Sequence, residues 1–136
     1  MVRITSTYRG ELRTSAVHGP SQTELITDAP VDNQGRGESF SPTDLVATGL
    51  GTCMLTIMGI VAERHAWPLV GATIDVEKHM GTDPRRITKL DVTVCVPGEW
   101  ESKQRKALEL AARECPVHRT LENTVEILVL FQWGTA

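Results

Sequence analysis

The longest apolar run of the chain lies between Ser41 and Trp67 and predicts a long helix. At helical spacing, one stripe of this run is apolar, and further apolar residues fill in around the other sides. The members of the stripe are Val46, Gly49, Leu50, Cys53, Ile57 and Ile60. A helix that is apolar nearly all round is typical of a mostly enclosed position. We therefore expect the rest of the chain to pack around it.

Both ends of this helix are marked in the sequence. Ser41 suits the cap, Pro42 suits the first helical position, and Asp44 stands where a capping carboxylate turns back to the backbone. Pro68 follows the predicted end. Three glycines interrupt the helix, namely Gly49, Gly51 and Gly59. Each costs about 1 kcal/mol relative to alanine, so we expect the close approach of another backbone to offset this cost.

Alternation of apolar and polar residues predicts strands before and after the helix. The predicted order is three short strands in meander over 2–27, a loop over 28–40, the long helix, a strand hairpin over 74–80 and 89–96, a helix over 101–114, a short helical turn, and a last strand over 125–133. Strands and helices are grouped and do not alternate strictly. This grouping predicts an α+β fold with largely antiparallel sheets packed around the long helix.

Length and charge exclude several classes of protein. The 136 residues suffice for one compact domain, which we place over residues 1–136. Lys and Arg number 14, Asp and Glu number 17, and the two signs are interleaved, so nucleic acid is not an expected partner. The first residues lack the apolar segment of a signal peptide, and glycine and threonine interrupt the long helix. We expect a cytoplasmic protein that does not enter a membrane.

Three cysteines occur, Cys53, Cys95 and Cys115, far apart and without a C-x-x-C pair. This pattern argues against a disulfide scaffold and a zinc knuckle. The four histidines lack metal-ligand spacing, so no metal site is expected. Strand alternation puts Cys95 on a polar face, where we assign it no role.

Cys53 and Cys115 each have two interpretations. Free cysteine is among the most buried residue types, so each is a candidate packing residue. Cys115, however, precedes Pro116 at the predicted N-cap of a short helical turn. Backbone N–H groups and the helix dipole favour a thiolate at such a position.

The segments SPTDLVATGLGTC and ECPVHRTLE, which carry Cys53 and Cys115, resemble the two cysteine motifs of the OsmC/Ohr family, the osmotically induced protein C and organic hydroperoxide resistance proteins. The resemblance extends over nearly the whole chain. It implies an OsmC-like fold and an intertwined homodimer with its two long helices packed together and its active site at the subunit interface. It further implies that Cys53 is peroxidatic and that Cys115 resolves it.

The chemistry that the resemblance implies needs no cofactor. A Cys53 thiolate attacks an organic hydroperoxide, becomes a sulfenic acid and condenses with Cys115 to a disulfide, which an external thiol reduces. An apolar pocket around Cys53, lined by Leu50, Ile57 and the tryptophans, is expected to favour organic hydroperoxides over hydrogen peroxide. Such an activity belongs to the response to oxidative or osmotic stress.

The resemblance weakens at the activating groups. The family's peroxidases hold an arginine with a glutamate that directly follows the proline, where this chain has Thr43; Asp44 is one residue later, about 100° further round the helix. A less characterised branch of the family carries its acid at this later position, and the chain resembles that branch. Asp44 is equally a capping carboxylate, and it lies ~13 Å along the helix from Cys53.

The best candidate for the arginine is Arg36, in the loop before the helix, where family members of the osmotically induced type have theirs. Arg9 and Arg13, near the first strand turn, are the alternatives. A solvated loop arginine is the simpler account of Arg36.

The sequence is compatible with two functions. One is a thiol-dependent peroxidase for organic hydroperoxides. The other is a non-enzymatic dimer that binds a small hydrophobic ligand in an apolar pocket at the subunit interface, with the cysteines serving as packing residues.

Overall fold

The computed structural model describes residues 1–134; residues 135 and 136 of the predicted domain lie outside the described residues. Contacts divide the chain into two compact units, with the boundary in the sequence between Val46 and Ala47. The first unit is a sheet of three strands, β1 (Ile4–Gly10), β2 (Arg13–His18) and β3 (Glu24–Asp28). Both strand pairs are antiparallel, which confirms the predicted meander.

The loop after β3 is less irregular than the sequence suggests. It contains a single 3₁₀ turn, Val31–Asn33. The N–H of Gly35 donates to the Pro30 carbonyl at 2.9 Å, so the loop folds back on its own start. A Cβ on Gly35 would lie 1.8 Å from the Ala29 carbonyl oxygen, and therefore only glycine fits there.

The predicted long helix is α1, Pro42–Arg64. Its capping box is formed as predicted. The Ser41 N–H donates to the Asp44 carboxylate at 2.9 Å, and the Asp44 N–H donates to the Ser41 hydroxyl at 3.1 Å. The helix ends three residues before Trp67, because Ala66 adopts a left-handed conformation with φ of 55°.

The buried face of α1 differs from the predicted stripe. The buried residues are Ala47, Leu50, Gly51, Met54, Met58 and Ala62. Cys53 and Ile57 are half-buried at the border of this face, whereas Val46 and Ile60 are exposed. Because the helix is apolar nearly all round, its periodicity does not indicate which face is buried within a single chain.

By length and composition α1 also meets the criteria for a membrane-spanning helix. Its most apolar window of 18 residues has a mean hydropathy of 2.0. Core helices of water-soluble proteins meet the same two criteria, so these measures do not distinguish the two environments.

The second unit contains the other sheet and two further helices. Its elements are β4 (Thr73–Gly81), β5 (Arg86–Val96), α2 (Ser102–Arg113), α3 (Pro116–Leu121) and β6 (Glu126–Trp133). The hairpin of β4 and β5 is antiparallel, as predicted. However, β6 pairs parallel to β5, so three of the four strand pairings are antiparallel, and the prediction of largely antiparallel sheets is confirmed. The reason for the parallel pairing is the crossover through α2 and α3, which is long enough for a parallel connection.

The core of the second unit lies on one face of this sheet. Alternate residues of β5 are buried there, namely Leu90, Val92, Val94 and Val96. They cluster with Leu50, Met54 and Met58 of α1 and with Leu108 of α2. A Cβ on Gly51 would meet Val76 at 3.0 Å, so the side chains of β4 account for that glycine.

Candidate active site

Cys115 occupies the predicted N-cap of α3. Its backbone is extended, with φ of −63° and ψ of 146°, and Pro116 takes the first helical position. The Cys115 sulfur accepts a hydrogen bond from the backbone N–H of His118 at 3.3 Å. The side chain is completely buried, at 0% exposure. Local sequence thus fixes the thiol's place, and the core of the second unit encloses it.

The structure brings Cys53 and Cys115 together. Cys53 lies on α1 at the edge of the same hydrophobic cluster. Its thiol is an ionisable neighbour of the Cys115 thiol and contributes to raising the pKa of Cys115. Both cysteines are free thiols in this structure. Two neighbouring free thiols can form a disulfide reversibly.

Burial determines the ionisation of Cys115. The pKa of the thiol is raised to about 11; removal from water is the largest cause, and the neighbouring Cys53 acts in the same direction. The backbone N–H groups of His118 and Val117 act in the opposite direction. The N-cap N–H groups thus favour a thiolate, as expected, but the cost of burying a charge exceeds what they contribute, and the thiol is favoured overall.

This pKa makes protein stability depend on pH at alkaline values. The pKa is raised above its ordinary value of 9.0, so the folded state binds the proton more tightly, and stability falls as pH rises from about 9 to about 11. Urea unfolding between pH 8 and 11 should show a steeper loss in the wild type than in Cys115→Ser. Cys95→Ser is the matched control and should keep the wild-type slope. An equally steep loss in Cys115→Ser would contradict this account.

Asp44 and Arg36 lie in the first unit. The Asp44 carboxylate accepts from the Ser41 N–H, as its capping role predicts. Arg36 forms an ion pair with Glu11 at 3.1 Å, and both side chains are more than half exposed. A catalytic role for either residue stays a prediction.

Arg13 is held more firmly than Arg36. Its Nη2 lies 2.7 Å from a Glu38 oxygen and 3.5 Å from Asp28 Oδ2. Hydrogen bonding to Glu38 is the largest cause that raises the pKa of Arg13. Arg9, the third candidate, donates from Nε to the Ser15 hydroxyl at 2.9 Å. Of the three arginines, Arg13 is the one that pairs with two carboxylates.

Asp28 is the buried member of this cluster, at 1% exposure. Its Oδ2 also accepts the backbone N–H of Glu38 at 2.9 Å. Two buried atoms of the cluster, Asp28 Oδ1 and Arg13 Nε, lack hydrogen-bond partners among the residues that the structure describes. No local pattern in the sequence predicts this arrangement, since its members come from β2, the end of β3 and the following loop.

The apolar pocket expected around Cys53 at a subunit interface stays a prediction. Of its predicted lining, Leu50 is fully buried in the core. An open pocket of about 240 Å³ lies beside the C-terminal half of α1. Its lining includes Trp67 of the predicted residues, together with Leu55, Gly59, Ala62, Glu63, Leu69, Val70, Gly71 and Ala72. Trp100 lies edge-on against Trp67, with ring centroids 6.3 Å apart, and contributes to the core.

The remaining polar candidates are engaged elsewhere. Cys95 donates to the Gln132 side chain at 3.2 Å, on the outer side of the second sheet. His118 directs Nδ1 toward Glu122 at 3.3 Å. Within residues 1–134, no group of three or more His, Cys, Asp and Glu side chains has an arrangement for a metal ion.

Comparison with known proteins agrees with this fold. Residues 35–129 match the family described as OsmC-like protein. An osmotic stress induced and detoxification response protein from Psychrobacter arcticus 273-4 is 44% identical, with a TM-score of 0.92 and coverage of 97% of this chain and 96% of that one. An OsmC-like protein from Mycoplasma pneumoniae shares the fold at 17% identity, with a TM-score of 0.81 and coverage of 99% and 98%.

An organic hydroperoxide resistance protein OsmC from Legionella pneumophila likewise shares the fold, at 17% identity, a TM-score of 0.77 and coverage of 97% and 96%. The comparison with curated proteins gave no match. The family match covers most of the chain, and the chain therefore belongs to the OsmC-like family.

Proposed function

We propose that the protein is a thiol-dependent peroxidase that reduces organic hydroperoxides, with Cys53 as the peroxidatic thiol and Cys115 as the resolving thiol. The position of Cys53 as a neighbour of the Cys115 thiol carries the proposal. Cys53 is the more accessible of the two, which suits the residue that meets the peroxide, whereas Cys115 is fully enclosed. Membership of a family that includes organic hydroperoxide resistance proteins supports the choice of substrate.

The proposed reaction converts two thiols and one hydroperoxide into one disulfide, one alcohol and one water. The Cys53 thiolate attacks the terminal oxygen of the hydroperoxide, the O–O bond breaks, and the alkoxide leaves and takes a proton from solvent. Cys115 then attacks the sulfur of the Cys53 sulfenic acid. A disulfide forms, the S–O bond breaks, and water leaves. An external thiol reduces the disulfide and restores both cysteines.

An activating cation favours the Cys53 thiolate in this proposal. Arg13 is the first candidate, ahead of Arg36 and Arg9, because two carboxylates fix its guanidinium. A fixed cation contributes more than an exposed one whose partner is screened by solvent. This choice replaces the preference for Arg36 that the sequence suggested.

We also propose a homodimer, on the basis of apolar surface that a single chain leaves uncovered. In the first unit, Ile4, Tyr8 and Leu25 are exposed, the first two by more than 60%. On α1, Ile60 is exposed, and a Cβ on Gly49 or Gly59 would meet nothing within 4 Å. Exposed apolar patches, where they are large, are typical of interaction surfaces. Open glycines on an apolar helix suit the close approach of the same helix from a second copy.

Gly49→Leu tests this arrangement. The single chain has room for the added side chain, so the fold should remain. A leucine at a close helix contact separates the two backbones, and we expect the dimer to dissociate at least about tenfold more readily. Sedimentation equilibrium at micromolar concentrations measures this. Lys106→Leu, at an exposed position of α2, is the control and should remain dimeric. A Gly49→Leu dimer as stable as the wild type would exclude a helix contact at Gly49.

The activity itself is tested on the reduced protein with one equivalent of cumene hydroperoxide. After rapid alkylation, peptide mapping should find a Cys53–Cys115 disulfide. If both thiols survive stoichiometric peroxide, the peroxidase proposal fails. The alternative is then a non-enzymatic dimer that binds a small hydrophobic ligand, which the apolar pocket beside Trp67 favours.

A further inference from the structure

We propose that the outer face of the second sheet is a docking site for a basic amphipathic helix of another protein. The outer face is the side of β4, β5 and β6 that points away from the core residues of α1 and α2. Its residues lie in four cross-strand rows: Thr73 with Cys95 and Gln132; Asp75 with Thr93 and Leu130; Glu77 with Asp91 and Leu128; and His79 with Lys89 and Glu126. Neither Cys53 nor Cys115 belongs to this face, so the inference goes beyond the proposed peroxidase function and does not depend on it.

Two adjacent leucines form the apolar part of the outer face. Leu128 and Leu130 lie on the edge strand β6 and are 48% and 56% exposed. Together with Asp91 and Thr93 of β5, they line a cleft of about 270 Å³. Neighbouring leucines at an open cleft gain free energy when an apolar surface covers them.

The remainder of the outer face is mainly acidic. Of its twelve described residues, four carry carboxylates and one, Lys89, is a permanent cation. The carboxylates belong to Asp75, Glu77, Asp91 and Glu126. Lys89 lies 3.3 Å from an Asp91 oxygen, and His79 lies 2.8 Å from the other oxygen of the same carboxylate. The available cations are thus gathered at Asp91.

The two acids of β4 lack a close cation of their own. Glu77 stands directly opposite Asp91 in the strand ladder, where like charges destabilise a sheet. Its ion pair with His79 is 3.7 Å long, whereas the His79–Asp91 pair is 2.8 Å long. Asp75 forms no ion pair with the residues that the structure describes. A cation supplied from outside would offset both charges, which favours a basic partner.

The spacing of these groups suits a helix that lies along the strands. Residues two apart on a strand, such as Leu128 and Leu130, are separated by about 6.6 Å, and one helical turn rises about 5.4 Å, so apolar residues from successive turns can reach both leucines. The acids of β4 lie two strand spacings away, at about 9.6 Å. A lysine or arginine on the flank of such a helix spans this distance with its long side chain.

The chain itself does not offer a helix of this kind. Among the described helices, α2 carries several basic residues, but it buries its apolar residues Leu108, Ala111 and Ala112 in its own core. A second copy therefore has no free basic amphipathic helix to place on the outer face. We accordingly assign the site to another protein.

Two synthetic helices of about four turns serve as probes, each with leucines along one face. One carries lysines at all other positions, and the other carries glutamates. We expect the full chain to bind the lysine helix at least about tenfold more tightly than the glutamate helix, a difference of about 1.4 kcal/mol. Fluorescence anisotropy of the labelled helices measures both affinities. Equal affinities, or no binding of the lysine helix, would overturn the inference.

Substitutions with matched controls test the two parts of the face. Leu128→Ser should weaken binding of the lysine helix at least about fivefold, because an apolar contact is lost. Glu77→Gln should weaken it about threefold, because an exposed charge pair is lost. The controls are Leu110→Ser on α2, which also replaces an exposed leucine, and Glu24→Gln on β3, which also removes an exposed charge. Equal losses in variants and controls would mean that the helix does not bind at the outer face.

Alkylation of Cys95 locates the bound helix. Cys95 lies in the row next to that of Leu130, and a helix of four turns is about 20 Å long, so it covers both rows. In Cys53→Ser protein, where Cys115 is fully buried, iodoacetamide reports on Cys95. Saturation with the lysine helix should slow this reaction at least about fivefold, because access to the thiol is blocked. An unchanged rate in the complex would place the helix elsewhere and overturn the inference.

Sedimentation equilibrium of Leu128→Ser distinguishes another protein from a second copy. We expect the variant to associate with itself as the wild type does. If it dissociates more readily, a second copy covers the outer face and the inference is wrong. Leu128→Ser should also form the Cys53–Cys115 disulfide with cumene hydroperoxide as the wild type does, so the docking site and the peroxidase function can fail separately.

Discussion

Cys53→Ser is expected to abolish the reaction with organic hydroperoxides, with a loss on the order of a thousandfold or more, as for removal of a catalytic nucleophile. A serine hydroxyl is not ionised near neutral pH and does not form the oxidised sulfur on which the proposed cycle depends. The measurement is the release of cumyl alcohol from cumene hydroperoxide, with an excess of external thiol.

Cys115→Ser is expected to behave differently in the same assay. It should release about one equivalent of alcohol per subunit and then slow, with Cys53 held as a sulfenic acid that mass spectrometry detects. Cys95→Ser is the matched control and should turn over at the wild-type rate, because its thiol lies on the outer side of the second sheet. A Cys53→Ser protein that still reduces the peroxide would exclude Cys53 as the peroxidatic residue.

The parts of the fold that follow from local interactions were predictable from the sequence. The capping box of Ser41 and Asp44 depends on residues three positions apart, and it forms as expected. The N-cap position of Cys115 likewise follows from Pro116 directly after it. Alternation over β4 and β5 identified the hairpin, because one face of each strand packs inward.

Features that depend on distant residues were not predictable in this way. Alternation of apolar and polar residues along β6 predicts which residues lie on each face of the strand, but it does not predict the neighbouring strand. The parallel pairing of β6 with β5 is therefore seen only in the structure. An evenly apolar α1 similarly leaves its buried face undetermined. The ionisation of Cys115 depends on total burial, which a local N-cap signal does not contain.

The contact of Cys53 with Cys115 is an intermediate case. Nothing in the spacing of the two residues places their sulfurs together, and the resemblance to the OsmC/Ohr family supplied the expectation. The structure shows in addition that the two thiols have different environments: Cys53 is half-buried on α1, and Cys115 is buried at the N-cap of α3. Their unequal environments fit the unequal roles proposed for them, with the more accessible Cys53 meeting the peroxide and the enclosed Cys115 resolving.

Asp28→Ala is expected to cost about 2 kcal/mol of folding free energy, because it removes a buried, charged acceptor and leaves polar partners behind. Asp28 is 1% exposed, accepts the Glu38 N–H at 2.9 Å and lies 3.5 Å from Arg13. Arg13 keeps its contact with Glu38, so the cluster is weakened and not eliminated. Urea unfolding at a fixed protein concentration measures the loss.

Glu11→Ala is the matched control, since it also removes one carboxylate from an arginine in the first unit. Glu11 and its partner Arg36 are both more than half exposed, so solvent screens their interaction. We expect a change below about 0.5 kcal/mol. Equal losses of folding free energy in the two variants would mean that the Asp28 cluster is no more stabilising than a surface ion pair. Arg13 would then be no more firmly held than Arg36, and the reason for choosing it as the activating cation of the proposed peroxidase would be lost.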